Sequence, residues 1–208
     1  MTIVKWLVTT LITGLALWTV GSWIIVAGIE EAKYTVVESV KGYEIRRYER
    51  ALIAQTATPT LSRADTGNAF RMIAGYIFGG NEAAQPIAMT APVDMSSHKI
   101  AMTAPVIMGG GTMAFVMPGK YQSLADLPKP KDGRVVLGEV PARTVAALRF
   151  SWYASEGQVT AKSAELLALL ARDGRKPLGA PMLASYDPPF SMPFLKRHDI
   201  LVEIEGPV

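Results

Sequence analysis

The chain has 208 residues, half of them apolar, no cysteine and a formal charge of only +3. That length suits one domain with an appendage, and the absence of cysteine excludes disulfides, thiolate metal sites and thiol nucleophiles. Lys and Arg are scattered rather than gathered into a basic stripe, so nucleic acid is not an expected partner.

From Trp6 to Ile29 no residue carries a charge. As a helix at 1.5 Å per residue the run would reach about 36 Å, enough to span the roughly 30 Å hydrocarbon core of a bilayer. It is longer than the apolar core of a cleaved signal, and Val26-Ala27-Gly28 is only a passable cleavage site, so residues 1–29 are expected to be an uncleaved single transmembrane anchor. Lys33, Lys41, Arg46 and Arg47 follow it and would favour a cytoplasmic domain, whereas a short anchor with a basic front end favours export. The outer, periplasm-like side is preferred.

Residues 30–208 read as one α+β domain. Tyr34–Val40, Tyr43–Tyr48 and Ala51–Ala57 are rich in β-formers, with reversals expected near Gly42 and Arg50. Asp65-Thr66-Gly67-Asn68 offers caps for a helix running to Phe78 and closed by Gly79-Gly80-Asn81. On that helix Phe70, Ile73, Ala74 and Ile77 are spaced to face a sheet, while Met72 and Tyr76, with Gly75 beside them, are expected on the far side. A second apolar face needs a cover, either from the fold or from a ligand.

The next stretch says nearly the same thing twice: Ile87-Ala88-Met89-Thr90-Ala91-Pro92-Val93 returns thirteen residues later as Ile100-Ala101-Met102-Thr103-Ala104-Pro105-Val106. Two similar strands joined by the turn Ser96-Ser97-His98-Lys99 are expected, each sitting at a sheet edge or ending near its proline, Pro92 or Pro105, which cannot donate to a ladder. Further strands are expected at Thr112–Met117, Arg134–Gly138, Ala142–Trp152 and Ile200–Ile204. A second helix, capped by Thr160, would bury Ala164, Leu167, Ala168 and Ala171 and stop at Asp173-Gly174. The order of elements suggests two similar halves.

Side-chain chemistry points to binding rather than catalysis. No Gly-x-Ser-x-Gly elbow is present, and Gly109-Gly110-Gly111 lacks the Lys-Ser/Thr of a phosphate loop. His98 and His198 are isolated in sequence and read as surface or structural residues. What suits Met72, Gly75 and Tyr76 is a flat apolar ligand, with Arg71, Arg46 and Arg47 as candidate partners for anionic edges.

Several motifs carry a resemblance. Gly42-Tyr43-Glu44-Ile45-Arg46-Arg47-Tyr48, Tyr76-Ile77-Phe78-Gly79-Gly80-Asn81, the Met-Thr-Ala-Pro-Val strand, Phe115-Val116-Met117-Pro118, Glu139-Val140-Pro141-Ala142-Arg143 and Tyr186-Asp187-Pro188-Pro189 occur in an order and spacing that resemble the SOUL haem-binding family. The resemblance spans residues 34–205 and implies a distorted antiparallel barrel of two halves, each contributing one helix. It also implies a haem or tetrapyrrole surface beside the first helix, here the face carrying Arg71, Met72, Gly75 and Tyr76. Some relatives carry a histidine where this chain has Arg47, so the iron's axial ligand is left open between packing alone, His98, His198 and Tyr76. The expected role is a membrane-anchored carrier, buffer or sensor. Alternatives are a tetrapyrrole-modifying enzyme and a membrane-tethered module that docks a protein partner on the apolar helix face.

Overall fold

The computed structural model describes residues 6, 13, 18, 29–82, 99–187 and 191–206. Trp6, Thr13 and Trp18 are helical and Ile29 is described, while the rest of the expected anchor lies outside the described residues. Among those described, no helix is long and apolar enough to cross a membrane. The first copy of the repeat and the turn with His98 are also outside.

Thirteen strands and two α-helices are described: β1 Glu30–Glu31, β2 Tyr34–Val40, β3 Tyr43–Tyr48, β4 Ala51–Ala57, α1 Arg63–Ile77, β5 Asn81–Glu82, β6 Thr103–Ala104, β7 Val106–Gly109, β8 Thr112–Val116, β9 Lys129–Pro130, β10 Val136–Val140, β11 Arg143–Phe150, α2 Glu156–Arg172, β12 Met182–Ser185 and β13 His198–Glu203. Nine of the strands form one antiparallel sheet in the order β10-β4-β8-β7-β12-β13-β11-β3-β2. It curls into a half-barrel with β10 and β2 as its edges, rather than closing as the resemblance implied.

The order contains a hidden two-fold. In one half β4 leads through α1 to the hairpin β7–β8, and β4 pairs with β8; in the other β11 leads through α2 to β12 and β13, and β11 pairs with β13. The halves meet where β7 pairs with β12. The strand before each lead strand crosses over, β3 onto β11 and β10 onto β4. The reversal expected near Arg50 therefore does not make a β3–β4 hairpin; it sends the chain to the other half.

Strand alternation sorts the core into layers. Leu52, Ala54, Met113 and Phe115 face α1, whereas Ile45, Ala146, Leu148, Ile200 and Val202 face α2. The opposite face carries Tyr48, Val145, Ala147, Ala184 and Leu201, with Ala104 of β6 and Ile29 and Ala32 packed over them. The second repeat copy is thus divided at Pro105: β6 pairs with β1 over this face, and β7 enters the main sheet.

Both helices begin earlier than expected, because Ser62 and Ser155 accept from Asp65 N and Gln158 N and act as N-caps. In α2 the buried stripe is Val159, Leu166 and Leu170, with Ala164 and Ala168 exposed, since the larger side chains bury more apolar area for the same rotation.

Candidate functional site

Helix α1 turns Ala69, Ile73, Tyr76 and Ile77 into the core. At roughly 100° per residue Tyr76 lies only about 20° from Ala69, on the flank of the buried face rather than opposite it. Its ring is 2% exposed, and its hydroxyl donates to the Pro128 carbonyl at 2.9 Å. The expected outward Tyr76 is therefore corrected to a core residue: the phenol can be buried because a carbonyl takes its proton. Desolvation pushes its pKa far above the ordinary phenol range.

The helix end is tied down by the same motif. Gly80 N donates to Gly75 O at 2.7 Å, Asn81 Nδ2 donates to Tyr76 O at 2.7 Å, and Lys131 N donates to Gly80 O at 3.0 Å. A Cβ on Gly80 would stand 2.7 Å from Gly75 O, so only glycine permits this approach. The Tyr-Ile-x-Gly-x-Asn signature is thus the clasp between α1 and the loop before β10.

Beside α1 lies an open hollow of about 750 Å³, lined by Arg71, Met72, Gly75, Tyr76 and Gly80 from the helix and its clasp, and by Lys131, Asp132 and Arg134 from the facing loop. Met72 is half-buried; Arg71 and Gly75 are exposed. No atom lies within 4 Å of where a Gly75 Cβ would stand, leaving a bare patch of helix backbone. Arg71 donates to Asn68 Oδ1, and Arg134 grips Asp132 through Nε at 2.9 Å and Nη2 at 2.7 Å. Those hydrogen bonds hold the Asp132 carboxyl down at about 2. Lys131 and Arg134 were not singled out in the sequence, which gives no sign that a Pro-broken loop 55 or more residues on folds against α1.

Arg46 and Arg47 do not join this group. Arg46 is fully buried on the sheet face away from the helices, donating to Asp199 Oδ2 at 2.6 Å and Glu44 Oε2 at 2.8 Å. Burial works against its charge, but the bonds to Asp199 and Glu44 more than offset this and raise its pKa. Arg47 points the other way on β3 and is exposed. Neither lines the hollow.

Among the expected iron ligands, His198 is buried with Nδ1 3.0 Å from Ser185 Oγ and Nε2 3.0 Å from the Trp152 carbonyl. Both nitrogens are engaged, and burial lowers its pKa. Tyr76 is committed to Pro128, and His98 lies outside the described residues.

A second hollow of about 390 Å³ lies on the other sheet face between β1 and β4. Its rim is internally paired: Arg50 to Glu139 at 2.8 Å, Arg143 to Glu203 at 3.7 Å, and Gly119 N to Glu30 at 3.0 Å. The hollow beside α1 differs in its bare helix backbone at Gly75 and in the exposed Arg71, Lys131 and Arg134 along its rim.

Comparison with known proteins agrees on the fold. The crystal structure of the EcmrR C-terminal domain superposes with a TM-score of 0.54 at 10% identity, covering 84% of this chain and 99% of that one. EcmrR in a cryo-EM complex with DNA gives 0.55 at 8% identity, covering 81% of this chain and 59% of that one. No curated protein matches the chain. The sequence profile described as SOUL heme-binding protein matches residues 29–203, spanning both halves of the sheet and the clasp of α1. The chain belongs to the SOUL heme-binding protein family.

Proposed function

We propose that the domain binds haem or a related tetrapyrrole in the open hollow beside α1, as a carrier, buffer or sensor held at a membrane by residues 1–29, on its outer, periplasm-like side. The observation that carries the ligand site is the bare backbone at Gly75 inside a hollow of about 750 Å³, with Met72 beside it and Arg71, Lys131 and Arg134 around it. Met72 and Gly75 form the apolar floor, and the cations meet the propionates. Membership of the SOUL family supports haem as the ligand. The uncharged run Trp6–Ile29 supports the anchor.

Haemin titration of the full chain in detergent tests the site. The expected result is a saturable Soret change that Gly75→Leu and Met72→Asp weaken, each by about tenfold or more, as loss of one close apolar contact of about 1.4 kcal/mol or more requires. Gly75→Leu is the cleaner probe, because space at that position is open and the fold should survive. A linear, non-saturating spectrum would remove the proposal. For the anchor, the chain should stay with membranes through alkaline carbonate extraction, and release into the supernatant would refute it. Protection of the domain from protease on the cytoplasmic side tests the orientation.

A further inference from the structure

One end of the half-barrel carries an apolar surface that the ligand site does not use. Trp152, Tyr153, Phe194 and Leu195 are large side chains between 47% and 60% exposed. They belong to two loops at the same end of β11 and β13, since Phe150 pairs with His198 and Trp152 N donates to the Pro193 carbonyl at 3.1 Å. The Lys196 ammonium sits 5.3 Å above the Tyr153 ring. Trp152 has a backbone φ of +80°, a conformation that side chains rarely adopt. The Pro193 carbonyl and His198, whose Nε2 is 3.0 Å from the Trp152 carbonyl, hold it there. The four exposed side chains leave an apolar face without a cover among the described residues.

The N-terminal chain points to a cover. Its uncharged run ends at Ile29, and β1 begins at Glu30 with no linker between them. Arg197, two residues after Leu195, binds the Glu31 carboxylate at 3.0 Å. The first residues after the uncharged run are thus tied by Arg197 to the segment that carries Phe194 and Leu195. A helix emerging from a bilayer with no spacer holds its domain within the headgroup layer, roughly 5–7 Å thick on each side. Aromatic rings with an adjoining cation are the side chains that favour this layer. We propose that Trp152, Tyr153, Phe194 and Leu195 form a lipid-contacting surface that seats the domain on the bilayer beside its own anchor. This rests on the membrane placement proposed for residues 1–29.

The full chain contains four tryptophans, Trp6, Trp18, Trp23 and Trp152, which permits a direct test. The triple variant Trp6→Phe, Trp18→Phe, Trp23→Phe leaves Trp152 as sole reporter, and Trp152→Phe leaves the three in the N-terminal segment. Both are placed in phosphatidylcholine–phosphatidylglycerol vesicles carrying lipids spin-labelled at shallow or deep positions. Trp152 is expected to emit at shorter wavelength in vesicles and to lose on the order of half its emission to the shallow label, as a ring at headgroup level does. Phe194→Ser with Leu195→Ser should reverse both effects without changing quenching of the N-terminal tryptophans. Trp152 reached by aqueous acrylamide and untouched by lipid labels, while the N-terminal tryptophans are quenched, would overturn the surface and leave the anchor standing. If no tryptophan is quenched by lipid, both fall. Trp152 shielded from acrylamide and lipid alike would assign the face to a second copy or to residues 1–28, and would also overturn the proposal.

Discussion

Arg46 and Arg47 stand side by side in sequence and face opposite ways, and the strand period explains the division but not which face is buried. Arg46 is buried because Asp199, 153 residues away, answers its charge at 2.6 Å. No local pattern announces such a partner, so a propionate anchor and a buried ion pair look alike until β3 and β13 are placed in one sheet. Removing Asp199 leaves the fully buried Arg46 with only the half-exposed Glu44 as its anionic partner. Asp199→Asn should therefore lower stability by up to about 3 kcal/mol in chemical denaturation, less than a wholly uncompensated buried charge would cost, whereas Arg46→Met with Asp199→Leu should cost less still. His198 offers a pH-dependent counterpart. Burial lowers its pKa from the usual 6.5, so near that pH the unfolded chain binds a proton that the folded chain refuses. Stability should be complete above about pH 6.5 and fall as the pH drops through that value towards the lowered folded pKa. His198→Gln should flatten the dependence of the denaturation midpoint between pH 7.5 and 5.5; an unchanged slope would mean the ring titrates normally.

Helix α1 was legible as an element, but the second apolar face expected of Met72 and Tyr76 was not, since Tyr76 is buried in the core. Its rotation differs from the one its apolar spacing predicts: Ala69 and Tyr76 take core positions, while Phe70 and Ala74 are half-buried. The cause is the Tyr76 hydroxyl, which pairs with Pro128, 52 residues downstream. Met72, Gly75 and Arg71 do border the hollow, since the helical period alone places them beside that face. The two glycines at the helix end should respond in opposite directions. Gly80→Ala would put a Cβ 2.7 Å from Gly75 O and should cost about 1–3 kcal/mol, because backbone rather than a flexible side chain must yield. Gly75→Ala meets nothing within 4 Å and should raise stability by about 0.5–1 kcal/mol through helix propensity. Thermal unfolding of both variants checks the pair, and equal effects would mean that the clasp is not the constraint.

Across the whole molecule, two similar halves of strands and a helix could be read from the chain, but β12 and the exchange of β3 and β10 between halves could not. A short reversal at Arg50 usually joins neighbours, and only the finished sheet shows that β3 finds its place on β11, nearly a hundred residues later. That exchange makes the halves interdependent. Among the described residues, β3 pairs with β11 besides β2, and β10 pairs with β4 alone, so separating the halves strips both of their principal partners. It also opens the β7–β12 seam, leaving long unpaired edges on each side. Neither half should fold alone. A chain divided between Asp132 and Gly133 falls in the loop that precedes β10 and cuts no strand. Its two fragments should each lack the far-ultraviolet signature of ordered sheet, yet associate and regain it when produced together. The intact domain should likewise unfold in one step, with circular dichroism and Trp152 fluorescence changing at the same denaturant concentration. Separate transitions, or a stable isolated fragment, would mean that each half closes its own sheet and that the crossing strands are accessories rather than the bond between them.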